Sequence, residues 1–171
     1  AEVEPGLAQP VVEVRVAEEL DGGGVGEVAL TPIMSWMAQE PAAVGPYSQS
    51  VVVSAPEPFD VEVLRQALAG VRRHHDVLRS RLTFGDNGLR HVIAPAEDSS
   101  EVPVDEIAVA ASRGSSAFDD AMETAAIAAT DALDPESGRV MSVTVVEAPS
   151  GADSERRLLI VLHHLAVDGV S

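Results

Sequence analysis

An uninterrupted apolar run near the end of the chain limits the possible folds most strongly. Residues 158–162 read "LLIVL", with two arginines before them and two histidines after them. The run is far too short to cross a bilayer. A continuous apolar run of this length is typical of a strand that is buried on both faces of a sheet. We therefore predict a central strand whose end carries the two histidines.

The segment "PFDVEVLRQALAGVRRHH" gives the clearest helix signal in the sequence. Asp60 is positioned to cap its first turn, and Phe59 and Leu64 have the spacing of a hydrophobic staple. Apolar residues then recur at helical spacing, so they are predicted to face a core: Val61, Leu64, Leu68 and Val71. An earlier short helix is predicted from Pro32 in its first turn and Thr31 as its cap.

The remaining patterns complete a mixed order of helices and strands. "YSQSVVVSA" predicts a strand from its β-branched content, and Asn87-Gly88 predicts a hairpin. Residues 116–133 predict a second helix, and "RVMSVTVVEA" and "RRLLIVLHH" predict strands separated by the polar turn "PSGADSE". The order predicts an α/β (α+β) sandwich with a mixed sheet. The predicted core face of the second helix is Phe118, Ala121, Met122, Ala125, Ala129 and Leu133.

Length and composition suit one globular domain, or one lobe of a larger one. The chain has 171 residues, of which 46% are hydrophobic and only 3% aromatic, so the core must be aliphatic. Its net charge of -17 argues against nucleic acid and against anionic membranes as partners. Residues 1–26 are acidic and rich in glycine, and we interpret them as a linker before a domain over 27–171.

The sequence has no cysteine, which excludes disulfides and thiol chemistry. It shows no secretory signal pattern, so we expect a cytoplasmic protein. All eleven basic residues are arginine, and four of them cluster in the sequence: Arg72, Arg73, Arg79 and Arg81. We interpret that cluster as a solvated basic face. The alternative is a docking patch for an acidic partner or a phosphate-bearing ligand.

The segment "HHLAVDG" is the strongest candidate for chemistry. Neighbouring residues that leave a strand point to opposite faces, so only one of His163 and His164 can face a given cavity. A neutral imidazole is a good general base, Asp168 could orient it or hold the loop, and Gly169 permits a tight turn. The alternative is a strand end with two locally satisfied histidines. The pair His74-His75 shows that adjacent histidines also occur at an ordinary helix end.

A metal site is a third interpretation of the same segment. His163, His164 and Asp168 would then act as ligands together with residues from elsewhere in the chain: His74, His75 or His91. The two adjacent rings diverge and no other ligand spacing is present, so we predict no metal.

"HHLAVDGVS" resembles the His-His-x-x-x-Asp-Gly motif of the condensation superfamily of nonribosomal peptide synthetases. Three further segments resemble family motifs in the same order: "LTPIMSWM", "YSQSVVV" and "LRQALAGVRRHHDVLRSRL". The resemblance implies a chloramphenicol acetyltransferase-like fold, of which residues 27–171 would be the N-terminal lobe only. "PIMSW" and "DGVS" are similar to epimerization domains, although Met34 stands where glutamine is usual. His74 stands where peptide-bond-forming members usually carry arginine.

The resemblance also implies roles for individual residues. His164 would be the catalytic residue, with His163 supporting it and Gly169 shaping the loop. Asp168 would be structural and paired with an arginine, for which Arg79 is the candidate. In an epimerization domain His164 would exchange the α-proton of an aminoacyl or peptidyl thioester.

The partners implied by the resemblance are a peptidyl carrier protein and other synthetase domains. The substrate would hang on the carrier's phosphopantetheine, with no tightly bound cofactor. A C-terminal lobe would supply a glutamate, so we expect the isolated 171-residue chain to be inactive. Two alternatives stay open, namely a condensation domain that forms peptide bonds and a non-catalytic lobe that docks carriers.

Overall fold

Two sheets and three α-helices form the part of the chain that the computed structural model describes, which is residues 24–39, 47–55, 58–85, 88–98, 101–150 and 153–167. The helices are α1 (Pro32–Met37), α2 (Val61–His74) and α3 (Ser116–Asp131). Short 3₁₀ helices cover Asp76–Arg79 and Ala96–Asp98. The strands are β1 (Gly26–Val28), β2 (Ser48–Ser54), β3 (Ser80–Gly85), β4 (Gly88–Ile93), β5 (Val104–Ala108), β6 (Met141–Ser150) and β7 (Asp153–His163).

The larger sheet has the strand order β2-β7-β6-β5 and is mixed, as predicted. β7 is antiparallel to both β2 and β6, whereas β5 is parallel to β6. The apolar run of β7 is central in the sheet. Leu158 faces one cluster, and Leu159 and Val161 face another, with all three side chains buried. The prediction of a strand buried on both faces is therefore confirmed.

The two long helices cover opposite faces of this sheet. Leu68 on α2 packs with Val143 and Leu158, and Ala129 on α3 packs with Val161. The sheet with one helix on each face confirms the prediction of an α/β sandwich. The predicted core face of α3 is also correct, because Phe118, Ala125, Ala129 and Leu133 are buried.

α2 begins where the sequence predicts and differs in its last turn. The Asp60 side chain accepts hydrogen bonds from the N–H groups of Glu62 and Val63. Val71, however, is 43% exposed, so the prediction that it faces the core is wrong. Arg72 is buried in this turn instead, and its guanidinium donates to the carbonyls of Leu78 and Gly138. The last turn of α2 is thus tied to carbonyl groups of the following 3₁₀ helix and of the turn before β6.

The prediction of a solvated arginine face is wrong for half of the cluster. Arg73 and Arg81 are exposed, but Arg72 and Arg79 are buried. The two buried side chains are also not available as a docking patch. Several of their donors bond to backbone carbonyls inside the molecule, and Arg79 also donates to the Asp76 carboxylate. These bonds compensate for part of the desolvation of each charge.

The smaller sheet contains the predicted hairpin. Its order is β1-β4-β3, and β3 and β4 pair antiparallel up to Gly85 opposite Gly88. Gly88 has φ +94°, a conformation that glycine adopts without strain. The predicted polar turn between β6 and β7 is shorter than expected, because the strands extend to Ser150 and from Asp153.

Two predicted segments fall largely outside the described residues. The linker proposed for residues 1–26 is described only from residue 24, and Gly26 is already the first residue of β1. Asp168 and Gly169 also lie outside the described part of the chain.

Candidate active site

The first histidine of the motif is an interior residue. His163 is the last residue of β7 and is 0% exposed. Its N–H donates to the Val140 carbonyl at 2.8 Å, and its Nδ1 accepts from the Leu165 N–H at 3.3 Å. Its partner on β2 is Ser48, whose hydroxyl lies 3.3 Å from the Thr130 hydroxyl on α3. His163 therefore belongs to the edge of the layer that α3 covers.

The second histidine has a different environment. His164 is half-buried, and its ring stacks on Tyr47 with centroids 4.5 Å apart and planes 12° apart. Its Nε2 lies 3.0 Å from the side-chain nitrogen of Gln49. Its backbone N–H donates to the Tyr47 carbonyl at 2.8 Å. Of the two adjacent rings, only this one combines partial exposure with a polar side-chain partner on β2.

Tyr47 and Gln49 were not among the residues predicted for the site. Both lie in the segment "YSQS", which sequence reasoning identified only as the start of a strand. Gln49 pairs with Leu162 in the sheet, and Ser48 pairs with His163. A strand alternates its side chains, so Gln49 points to the face opposite Ser48 and His163. The register of β2 against β7 was needed to place Gln49 beside His164.

The turn after β7 rests on a separate apolar cluster. Leu165 is buried together with Met34, Leu82 and Leu89. Met34 is 3% exposed, so the position where glutamine is usual in similar epimerization domains is a core position in this chain. α1 thus lies beneath the turn that carries His164.

Arg79 joins the end of α2 to the end of β4. It is 2% exposed, its Nε donates to the Ala94 carbonyl at 3.0 Å, and its Nη1 donates to the carbonyls of Arg72 and Arg73 at 3.0 and 2.7 Å. Its Nη2 donates to the Asp76 carboxylate. Among the described residues these bonds use four of the five N–H groups of a guanidinium. The pairing of Arg79 with Asp168 stays a prediction.

Asp76 is held by two donors. The Gly24 N–H donates to its carboxylate at 2.6 Å, and Arg79 donates to the other oxygen. The Gly24 bond and then the Arg79 bond hold the pKa of Asp76 below its ordinary value. This carboxylate is therefore an ionised partner of Arg79.

His74, His75 and His91 have surroundings that differ from those of His164. His74 and His75 meet edge to face at the exposed end of α2, with ring centroids 4.8 Å apart. His91 is buried, and its Nε2 lies 2.8 Å from the Ser80 hydroxyl. Within the described ranges, no three His, Asp or Glu side chains are placed to hold a metal ion. In the same ranges, no helix has the length and hydropathy to cross a membrane.

Comparisons with known proteins match almost the whole chain to a single family. A family model described as a condensation domain matches residues 26–171. A linear gramicidin synthase of Brevibacillus parabrevis is 34% identical over 166 residues, which cover 96% of this chain and 3% of that protein. Surfactin synthase subunit 1 of Bacillus subtilis (strain 168) is 30% identical over 163 residues, covering 94% of this chain and 4% of that protein. The chain therefore spans a small fraction of these relatives.

Solved structures agree on the fold. The epimerization domain from the third module of tyrocidine synthetase B matches with a TM-score of 0.73 and 24% identity, covering 90% of this chain and 33% of that one. The starter condensation domain of rhizomide synthetase matches with a TM-score of 0.61 and 18% identity, covering 84% of this chain and 34% of that one. At these identities the likeness shows the fold alone, which is the chloramphenicol acetyltransferase-like fold. The expectation of an N-terminal lobe with this fold is confirmed.

Proposed function

This chain belongs to the condensation-domain family of nonribosomal peptide synthetases, and from that premise we propose that it is the N-terminal lobe of an epimerization domain. The reaction would convert the L-aminoacyl or peptidyl thioester on a carrier protein to the D form. The structural observation that carries the catalytic part of the proposal is the position of His164. It directly follows β7, it is half-buried, and it has a polar partner on β2.

A neutral imidazole can perform the required proton transfer. A thioester acidifies the α-carbon beside it, and a positioned imidazole can accept that proton as a general base. Return of a proton from the opposite face inverts the centre. The resemblance places a glutamate from a C-terminal lobe opposite the histidine, and we assign the second proton transfer to that residue. His163 has no part in this transfer, since its ring is interior, and its role is to hold the turn.

Asp168 and Gly169 complete the proposed site. We propose that Asp168 fixes the loop through an arginine and that Gly169 provides the turn after it. Arg79 remains the candidate arginine, because one N–H of its Nη2 is not used by the described residues. The pairing would anchor the loop to the end of α2.

The epimerization assignment rests on sequence details. "PIMSW" and "DGVS" resemble segments of epimerization domains, and His74 stands where peptide-bond-forming members usually carry arginine. The one departure from the epimerization pattern is Met34, and its burial supports a packing role at that position. Condensation is the second candidate, and it is favoured by the family model, whose description is a condensation domain. In that reaction His164 would position or deprotonate an attacking amine. A lobe that only docks carriers is the third candidate.

The proposed partners are a carrier protein and a second lobe. We propose that the substrate arrives on the carrier's phosphopantetheine and that no other cofactor is needed. The edge strand β2 beside the site exposes consecutive apolar side chains: Val51 48%, Val52 43% and Val53 39%. Such an edge supports the proposal that a further part of the synthetase covers this side of His164.

The test follows the α-proton in deuterated water. The complete domain and its loaded carrier are compared with the His164→Ala variant, and the released group is examined by mass spectrometry and chiral chromatography. We expect the wild type to incorporate deuterium with inversion. Loss of the base should slow incorporation by about 10²- to 10⁴-fold.

The matched control is His75→Ala, because His75 belongs to the other adjacent pair and is exposed at the end of α2. This variant should keep wild-type exchange. Peptide formation from a supplied donor and acceptor, without deuterium uptake, would move the assignment to condensation. Full exchange by His164→Ala would remove His164 from the proposed role.

A further inference from the structure

We propose that Gln49 is a positioning residue that holds the His164 imidazole and follows its proton during turnover. The inference rests on the proposed function, in which His164 is the base. Gln49 is the side chain whose amide nitrogen lies 3.0 Å from the Nε2 of His164.

The sheet fixes the distance between the two side chains. Gln49 pairs with Leu162 in the antiparallel ladder of β2 and β7. His164 follows that ladder directly, and its N–H donates to the Tyr47 carbonyl at 2.8 Å. The backbones of both residues are therefore held by the same two strands. A contact built on paired strands holds a side chain more accurately than one built on loops.

The Tyr47 ring restrains the His164 imidazole in a direction that the hydrogen bond to Gln49 does not. Stacking at 4.5 Å and 12° restrains the plane of the imidazole. The amide of Gln49 then restrains rotation within that plane, since it engages one ring nitrogen. Together the two contacts define one orientation of the His164 ring.

A carboxamide suits a group that gains and loses a proton. Its nitrogen can donate to an unprotonated Nε2 before the reaction. When Nε2 takes the α-proton this hydrogen bond is given up, and after rotation of the amide its oxygen can accept from the new Nε2–H. Gln49 can therefore form a hydrogen bond to each form of the ring in turn. A glutamate at this position could only accept when ionised, and a methionine could do neither to a comparable extent.

The kinetic test uses the complete domain with its loaded carrier. Gln49→Met keeps the size and removes the amide, and we expect kcat to fall about 10- to 100-fold with KM for the carrier changed less than about twofold. Gln49→Glu places a carboxylate beside the ring and favours its protonated form. As the pH is lowered, the Gln49→Glu variant should therefore lose activity at a higher pH than the wild type does. The control is Gln66→Met, which makes the same substitution at an exposed position of α2.

A second readout does not depend on turnover. ¹⁵N NMR of histidine-labelled protein reports which ring nitrogen of His164 carries the proton. We expect Gln49→Met to change this tautomer distribution and Gln66→Met to leave it unchanged. If the wild type neither exchanges the α-proton nor forms peptide, the proposed function fails while the NMR comparison still tests the contact. Wild-type kcat and wild-type ¹⁵N shifts in Gln49→Met would overturn the role of Gln49.

Discussion

At the residue scale, the five histidines of the chain occupy three kinds of environment. His74 and His75 are exposed at a helix end, and His91 and His163 are buried. His164 is half-buried against a stacked ring and an amide. A proton-transfer group needs access to substrate and a partner that orients it. Because all five residues are histidines, it is the environment that distinguishes His164 from the other four.

His91 gives the fold a dependence on pH that is separate from catalysis. Burial lowers the pKa of His91 below its ordinary value, so the unfolded chain binds its proton more readily than the folded one. The free energy of unfolding should therefore fall as the pH drops below about 6.5, the ordinary histidine value. Denaturant titrations of the domain between pH 8 and pH 5 measure this fall.

The control for this prediction removes the titrating group. His91→Leu should lower stability overall, because the Ser80 hydroxyl loses its partner. It should also flatten the dependence of the free energy of unfolding on pH, between about pH 6.5 and the pKa of His91 in the folded protein. An unchanged slope would show that His91 is not its source. The pKa of Asp76 is also lowered, but Asp76 affects stability in a different pH range. Its contribution to the free energy of unfolding is lost only as the pH falls through its own depressed pKa.

At the element scale, Arg79 connects three elements through one side chain. It bonds the last carbonyls of α2, the carbonyl after β4, and the Asp76 carboxylate of the 3₁₀ helix. Arg79→Met would leave these buried acceptors without their donor. We expect a loss of about 3 kcal/mol in the free energy of unfolding. Urea denaturation measures it.

The neighbouring Arg73 provides a matched control. It is exposed, so Arg73→Met should change stability by less than about 0.5 kcal/mol. Equal losses in the two variants would mean that the hydrogen bonds of Arg79 do not stabilise the end of α2.

The sequence predicted elements well where their signals are local. The Asp60 cap, the spacing of Phe118, Ala125 and Ala129, and the apolar run of β7 each act within a few residues, and the structure confirms them. Burial of Arg72 and Arg79 was missed because their carbonyl partners include residues from distant segments, such as Ala94 and Gly138. Gln49 was missed for the same reason, since it lies 115 residues from His164.

At the scale of the whole molecule, the described lobe presents apolar side chains on one edge. Val51, Val52 and Val53 are exposed on the edge strand β2, which also carries Gln49, and Trp36 on α1 is 53% exposed. The chain also covers only 33% of the solved epimerization domain that it resembles in fold. Both observations support the proposal that this lobe acts together with a second one.

The isolated 171-residue chain is therefore expected to be inactive, a prediction that rests on the proposed function. It would lack the glutamate that the resemblance assigns to the C-terminal lobe. Incubation with a loaded carrier in deuterated water should give no α-deuterium above the rate without protein. Exchange by the isolated chain at the rate of the complete domain would show that one lobe suffices.

The central position of β7 has a consequence for how the protein is made. β2 pairs with β7 alone among the described strands, yet β7 is translated about 100 residues later. At about 5–20 residues per second, the ribosome needs roughly 5–20 seconds to deliver that partner. During this interval the valines of β2 have no strand to pair with. We expect the nascent chain to need protection by chaperones over this interval, and the His164 site to form only when the sheet closes.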